Sequence, residues 1–87
     1  MFHFVYLLQS ELDNSFYIGY TNNLKRRLME HNAGLNISTK HSKPWKLVFF
    51  EGYLDENDAK RREKYLKTSQ GARMLKRIIK EYLFNTR

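Results

Sequence analysis

The sequence predicts an α+β domain: a three-stranded antiparallel sheet flanked by three helices, in the order β-β-α-β-α-α. Three observations carry this. Two apolar, aromatic-rich runs, 2–8 and 16–20, bracket Asp13-Asn14, which is the pattern of a hairpin around a turn. Leu75, Ile78, Ile79, Tyr82 and Leu83 stand at i, i+3, i+4, i+7 and i+8, an amphipathic helical stripe. No repeat, low-complexity tract or linker interrupts residues 1–87, so one domain with a small core is expected.

Residues 2–8 are apolar on both alternating faces, which predicts a strand buried on both sides. Residues 16–20, aromatic and β-branched, supply its hairpin partner. Thr21 or Asn22 can cap a helix that carries Leu24 and Leu28, and Ala33-Gly34 ends it. Residues 35–44 read as a polar loop. Residues 45–54, with Leu47, Val48, Phe49, Phe50 and Tyr53, predict the third strand. Asp55 caps a second helix, Asp58 occupies the reciprocal capping-box position, and that helix is expected to reach about Thr68. Ser69-Gln70-Gly71 reads as a break before the last helix.

Composition narrows the function classes. With 41% hydrophobic and 15% aromatic residues the chain is expected to fold. It has no cysteine, so disulfides and thiolate metal sites are excluded. The N-terminal apolar run lacks a basic leader and is too short to span a bilayer, so a cytoplasmic, non-membrane protein is expected. Sixteen Lys and Arg against nine Asp and Glu give +7. Such an excess on a small chain suits a polyanion, foremost nucleic acid, though solubility alone would account for it.

Against this background a few residues stand out. Tyr6 and Tyr17 lie on hairpin-paired strands, which can bring both rings to one face; two core tyrosines would read the same way. Gly19 interrupts a strand where glycine marks close approach of another group. Arg27 and His31, at i and i+4, share a helical face. They suit a phosphate fork and a proton-shuttling imidazole, or simply a solvated face. Glu63 shares a stripe with Ala59 and Leu66, where a carboxylate needs a partner: a base such as Arg27, or a Mg²⁺ ion that takes one or two carboxylates and keeps its waters. A single carboxylate argues against a two-metal site. Lys25, Arg26, Lys40, His41, Lys43, Arg62 and Lys67 recur on segments near these positions as a backbone-contacting footprint would, although basic runs are usually solvated faces.

Taken together, these residues resemble the GIY-YIG nuclease superfamily, especially its small stand-alone members, which are similar to the endonuclease domain of the excinuclease C subunit. The second triplet, Tyr17-Ile18-Gly19, is intact; the first reads Phe4-Val5-Tyr6 and keeps only its tyrosine. The resemblance implies Tyr6 and Tyr17 as the motif tyrosines, one of which activates water, and Gly19 as the motif glycine. It further implies Arg27 as the arginine that stabilises the transition state, His31 as a histidine beside the phosphate, and Glu63 as the ligand of Mg²⁺ or Mn²⁺. An asparagine that many members carry in the last helical region is missing, since Asn85 lies too near the end.

The implied activity is metal-dependent hydrolysis of phosphodiester bonds in DNA, with a setting in DNA repair or recombination and no obligate protein partner. Two other readings stay open: a non-catalytic nucleic-acid binder on the same fold, and a module of a larger assembly, whose mark would be an exposed aromatic patch around Phe49, Phe50 and Tyr53.

Overall fold

The computed structural model describes residues 1–85; the expected domain runs to Arg87, so its last two positions lie outside the described residues. The sheet has three antiparallel strands, β1 (His3–Ser10), β2 (Phe16–Thr21) and β3 (Trp45–Tyr53), in the order β2-β1-β3. β1 is central because it is apolar on both faces: Val5, Tyr6, Leu7 and Leu8 are all at most 3% exposed. Asn14 makes the hairpin turn with φ at 65°, a left-handed conformation that asparagine tolerates well.

The two faces of β1 feed two separate cores. On one side Val5 and Leu7 pack with Ala59 and Leu66 of α2 (Glu56–Leu66), with Leu75 of α3 (Ser69–Ile78) and with Ile79. On the other side Tyr6 and Leu8 pack with Trp45, Tyr17, Leu47, and Leu24 and Leu28 of α1 (Leu24–Asn32). α1 therefore covers one face of the sheet, and α2 and α3 cover the other. Asn32 clamps the end of α1 to β3: its amide donates to the Trp45 carbonyl at 3.0 Å and accepts from the Trp45 amide at 2.6 Å.

Several boundaries differ from the sequence expectation for identifiable reasons. Asn23, not Thr21 or Asn22, caps α1, accepting from the Arg26 amide, while the Thr21 hydroxyl supports the turn before it. Asp55 caps α2 as expected, through the Asn57 amide. Asp58 instead binds Arg61 at 2.8 Å. Thr68 caps α3, accepting from Gly71, so Ser69-Gln70-Gly71 is the first turn of a helix rather than a break. The expected last helix is divided at Ile79, and α4 (Lys80–Asn85) follows. Four of its five stripe positions survive the division, with Leu75, Ile79, Tyr82 and Leu83 packed on the sheet core, while Ile78, expected in the stripe, is turned out and 44% exposed.

Gly71 is inside a helix because α3 crosses close over the end of α2. A Cβ at this position would stand 2.5 Å from the Leu66 Cα and 2.8 Å from the Tyr65 carbonyl carbon, both backbone atoms that cannot yield independently. Gly71→Ala should therefore destabilise the protein by on the order of 2 kcal/mol, against the gain of about 1 kcal/mol that alanine ordinarily brings to a helix. Urea denaturation checks this; an unchanged or raised midpoint would show that the crossing is loose.

Candidate active site

The site is assembled on the α1 side of the sheet. Tyr6 and Gly19 are direct partners across β1 and β2, so both occupy the same face. The Tyr6 ring lies across the space a side chain at position 19 would take: a Cβ there would come 2.8 Å from Tyr6 Cε1 and closer still to its hydroxyl end. The glycine lets the ring lie flat and carry its hydroxyl toward α1.

There the Tyr6 hydroxyl meets both residues of the helical face. Arg27 Nε donates to it at 3.3 Å, and His31 Nε2 lies 2.9 Å away. His31 is fully buried, and its other nitrogen, Nδ1, is 2.7 Å from Thr39 Oγ1. Thr39 is itself 1% exposed, and its hydroxyl donates to the Asn36 carbonyl at 3.5 Å. That leaves Thr39 Oγ1 to accept from Nδ1–H, so Nε2 is the bare nitrogen and accepts from Tyr6. The result is one chain of hydrogen bonds, Tyr6 to His31 to Thr39, with Arg27 donating into its head.

Thr39 is the site residue that sequence reading missed. It stands in a polar loop with no motif around it. The one available hint is that a buried imidazole needs partners for both nitrogens. The loop is held by the Trp45 indole, which donates to the Thr39 carbonyl at 2.9 Å.

Burial sets the protonation states. It pushes the Tyr6 hydroxyl above its ordinary value, against the opposing influence of Arg27. It also pushes His31 down to about 4, helped by the Arg27 charge. The resting pair is thus a neutral phenol and a neutral imidazole.

The second tyrosine is placed differently. The Tyr17 ring packs edge-on against His31 at 5.0 Å and against Trp45 at 6.3 Å. Among the described residues its hydroxyl has no hydrogen-bond partner. Arg27 spends Nη1 on Glu30 at 3.0 Å. Glu63 lies in an open groove with Tyr20, Lys60, Arg61, Lys64 and Lys67, pairs with Lys67 at 3.1 Å, and is close enough for its charge to raise Tyr6 slightly. The partner of Glu63 is therefore the neighbouring base Lys67 and not Arg27.

No cluster of three or more His, Cys, Asp or Glu side chains exists among the described residues. One part-exposed carboxylate suits a cation that keeps most of its waters, as Mg²⁺ and Mn²⁺ do, and does not suit an all-protein cage.

The expected basic footprint divides. Lys25, Arg26, Lys40, His41, Lys43 and Lys67 are exposed, the middle three on the segment that follows Thr39. Arg26 also reaches Glu30 at 3.8 Å. Arg62 is placed differently: its guanidinium grips Glu51 of β3 at 2.9 and 3.0 Å and touches the Met74 sulfur. It clamps α2 to the sheet on the face away from Tyr6 through Nε and Nη2.

Comparison with known proteins identifies the family. The sequence matches the GIY-YIG catalytic domain over residues 2–77. It is 40% identical over 77 residues to a UPF0213 protein of Staphylococcus haemolyticus, covering 87% of this chain and 93% of that one. It is 41% identical over 66 residues to a UPF0213 protein of Clostridium perfringens, covering 75% and 70%. The fold is similar to the solution NMR structure of a UPF0213 protein from Bacillus halodurans, with a TM-score of 0.55 at 30% identity, covering 90% of this chain and 85% of that one. The match spans the hairpin, α1, β3, α2 and nearly all of α3, every element that builds the site, and the chain belongs to the GIY-YIG catalytic domain family.

Proposed function

We propose that this chain is a metal-dependent endonuclease that hydrolyses phosphodiester bonds in DNA. The observation that carries this reading is the buried chain Tyr6–His31–Thr39 with Arg27 donating into it. A core tyrosine needs one partner; this one has a cation on one side and a bare imidazole nitrogen on the other.

In this mechanism Tyr6 takes a proton from the attacking water as it passes its own to His31 Nε2. Thr39 holds the imidazole in the tautomer that can accept. The transfer does not precede the attack. Burial holds the Tyr6 hydroxyl above its ordinary range and His31 down to about 4, so complete transfer in the resting site is uphill. Proton movement must therefore accompany charge development on the phosphate, which Arg27 stabilises with its remaining amine. Tyr17 offers its free hydroxyl to the same phosphate. A Mg²⁺ or Mn²⁺ ion held by Glu63 would supply Lewis-acid stabilisation of the phosphate oxygens. The ion pairs Arg27–Glu30 and Glu63–Lys67 are part-exposed and worth at most about 1 kcal/mol each, so ligand binding can replace them. A cytoplasmic setting in DNA repair or recombination belongs to the same proposal.

One observation favours a non-catalytic binder: both Arg27 and Glu63 are already ion-paired within the protein. Plasmid nicking in Mg²⁺ against EDTA separates the readings. Wild type should nick only with the metal. Arg27→Ala and Glu63→Ala should each lose on the order of 10²-fold or more, and wild-type rates in both would sink the assignment. Tyr6→Phe, which keeps the ring and removes the hydroxyl, should lose as much, and Thr39→Val should lose activity that Thr39→Ser restores.

His31 also makes a stability prediction. Its folded value near 4 lies below the ordinary 6.5, so the unfolded chain binds the extra proton first. The stabilisation is complete above about pH 6.5 and is lost as pH falls toward 4, by at most about 1.4 kcal/mol per pH unit. In urea titrations the advantage of wild type over His31→Gln should shrink across that window. A constant advantage from pH 7 to pH 4.5 would show that His31 is not held neutral.

A further inference from the structure

Three phenylalanines on the α1 side of the sheet take no part in either core. Phe2 and Phe50 are each 50% exposed, and Phe4 is half-buried between them. The rings touch: Phe2 and Phe4 centroids are 6.3 Å apart, and Phe4 and Phe50 meet edge-on at 5.8 Å. Phe49 and Tyr53, by contrast, pack into the opposite core, so the exposed aromatic patch is not the one expected from the sequence. Gly52 makes room for the cluster. It is the partner of Phe4 across β1 and β3, and a side chain there would stand 3.3 Å from Phe4 and 3.4 Å from Phe2.

The patch is continuous with the candidate site. Phe50 is the direct partner of Tyr6, on the same face, with the two backbones one strand spacing apart, roughly 5 Å. The Tyr6 hydroxyl reaches over β2, so Phe50 on β3 lies about two strand spacings from it, roughly 10 Å, which places the exposed ring within reach of a nucleotide neighbouring a phosphate at Arg27. Resting on the phosphodiesterase reading, we propose that Phe2, Phe4 and Phe50 form a stacking platform for an unpaired nucleobase beside the scissile phosphate.

Both the chemistry and the area of the patch favour this occupant. Aromatic side chains exposed on adjacent strands of a sheet stack bases without reading their edges, because every base has a π face. The chain carries +7, which suits a ligand that brings its own negative charge to the adjacent site. A second copy of the chain is a poor fit. Three part-exposed rings offer on the order of 300 Å², against about 800 Å² per partner in a stable interface.

The test is binding in EDTA, where cleavage is off, by fluorescence anisotropy with three probes: a short single-stranded oligonucleotide, the same strand made of abasic nucleotides, and a duplex. Phe50→Ala should weaken binding of the single strand roughly 10-fold and leave the abasic strand and the duplex unchanged; Phe50→Trp should restore it. Single-strand affinity within about twofold of wild type in a folded Phe50→Ala protein would overturn the platform and leave the nuclease proposal standing. The same holds for a dimer in sedimentation that Phe50→Ala dissolves. Failure of the wild type to bind any of the three probes would overturn both.

Discussion

The candidate site depends on one packing event: the Tyr6 ring lying across Gly19. Register makes the two residues partners, and the missing side chain lets the phenol reach α1. With any larger residue at position 19 the ring would be lifted away, and its hydroxyl would leave both Arg27 and His31. A single glycine in an edge strand thus converts a core tyrosine into the head of a hydrogen-bonded chain. The rest of the fold holds that chain in place. Asn32 fastens the end of α1 to β3, and Trp45 fastens the loop that carries Thr39.

The electrostatics follow from the same geometry. Burial keeps both Tyr6 and His31 neutral, and it also keeps the bare nitrogen of His31 out of contact with water. The charged groups, Arg27, Glu30, Glu63 and Lys67, sit at the margin where solvent still screens them. That division is the one the proposed mechanism requires: neutral hydrogen-bonded groups inside, charged groups at the solvent-facing margin. The ion pairs of Arg27 and Glu63 are correspondingly part-exposed and weak.

Much of the fold was legible because local patterns and tertiary packing agree. The apolar alternation of β1, the Asp13-Asn14 turn, the Asp55 cap and the Ala33-Gly34 stop each have a local cause. The errors came where a distant contact overrides a local signal. Gly71 reads as a breaker, yet it lies within a helix because the backbone of α2 passes against it. Arg62 reads as one more surface base in a basic helix, yet Glu51, eleven residues earlier on another element, accepts from its Nε and Nη2. Phe49 and Phe50 are adjacent and chemically identical; only the strand register decides that one is core and the other is exposed beside Tyr6.

By itself the sequence determined the α+β class, the element order and the identity of most candidate site residues, because spacing along a strand or helix fixes which residues share a face. It also determined the charge excess. The tertiary structure alone decided which of those residues meet. That Tyr6 touches both Arg27 and His31, that Thr39 completes the chain and that Arg62 grips Glu51 are facts of packing between segments far apart in sequence. No periodicity records such contacts, because each depends on how close two elements approach and on what one glycine leaves empty.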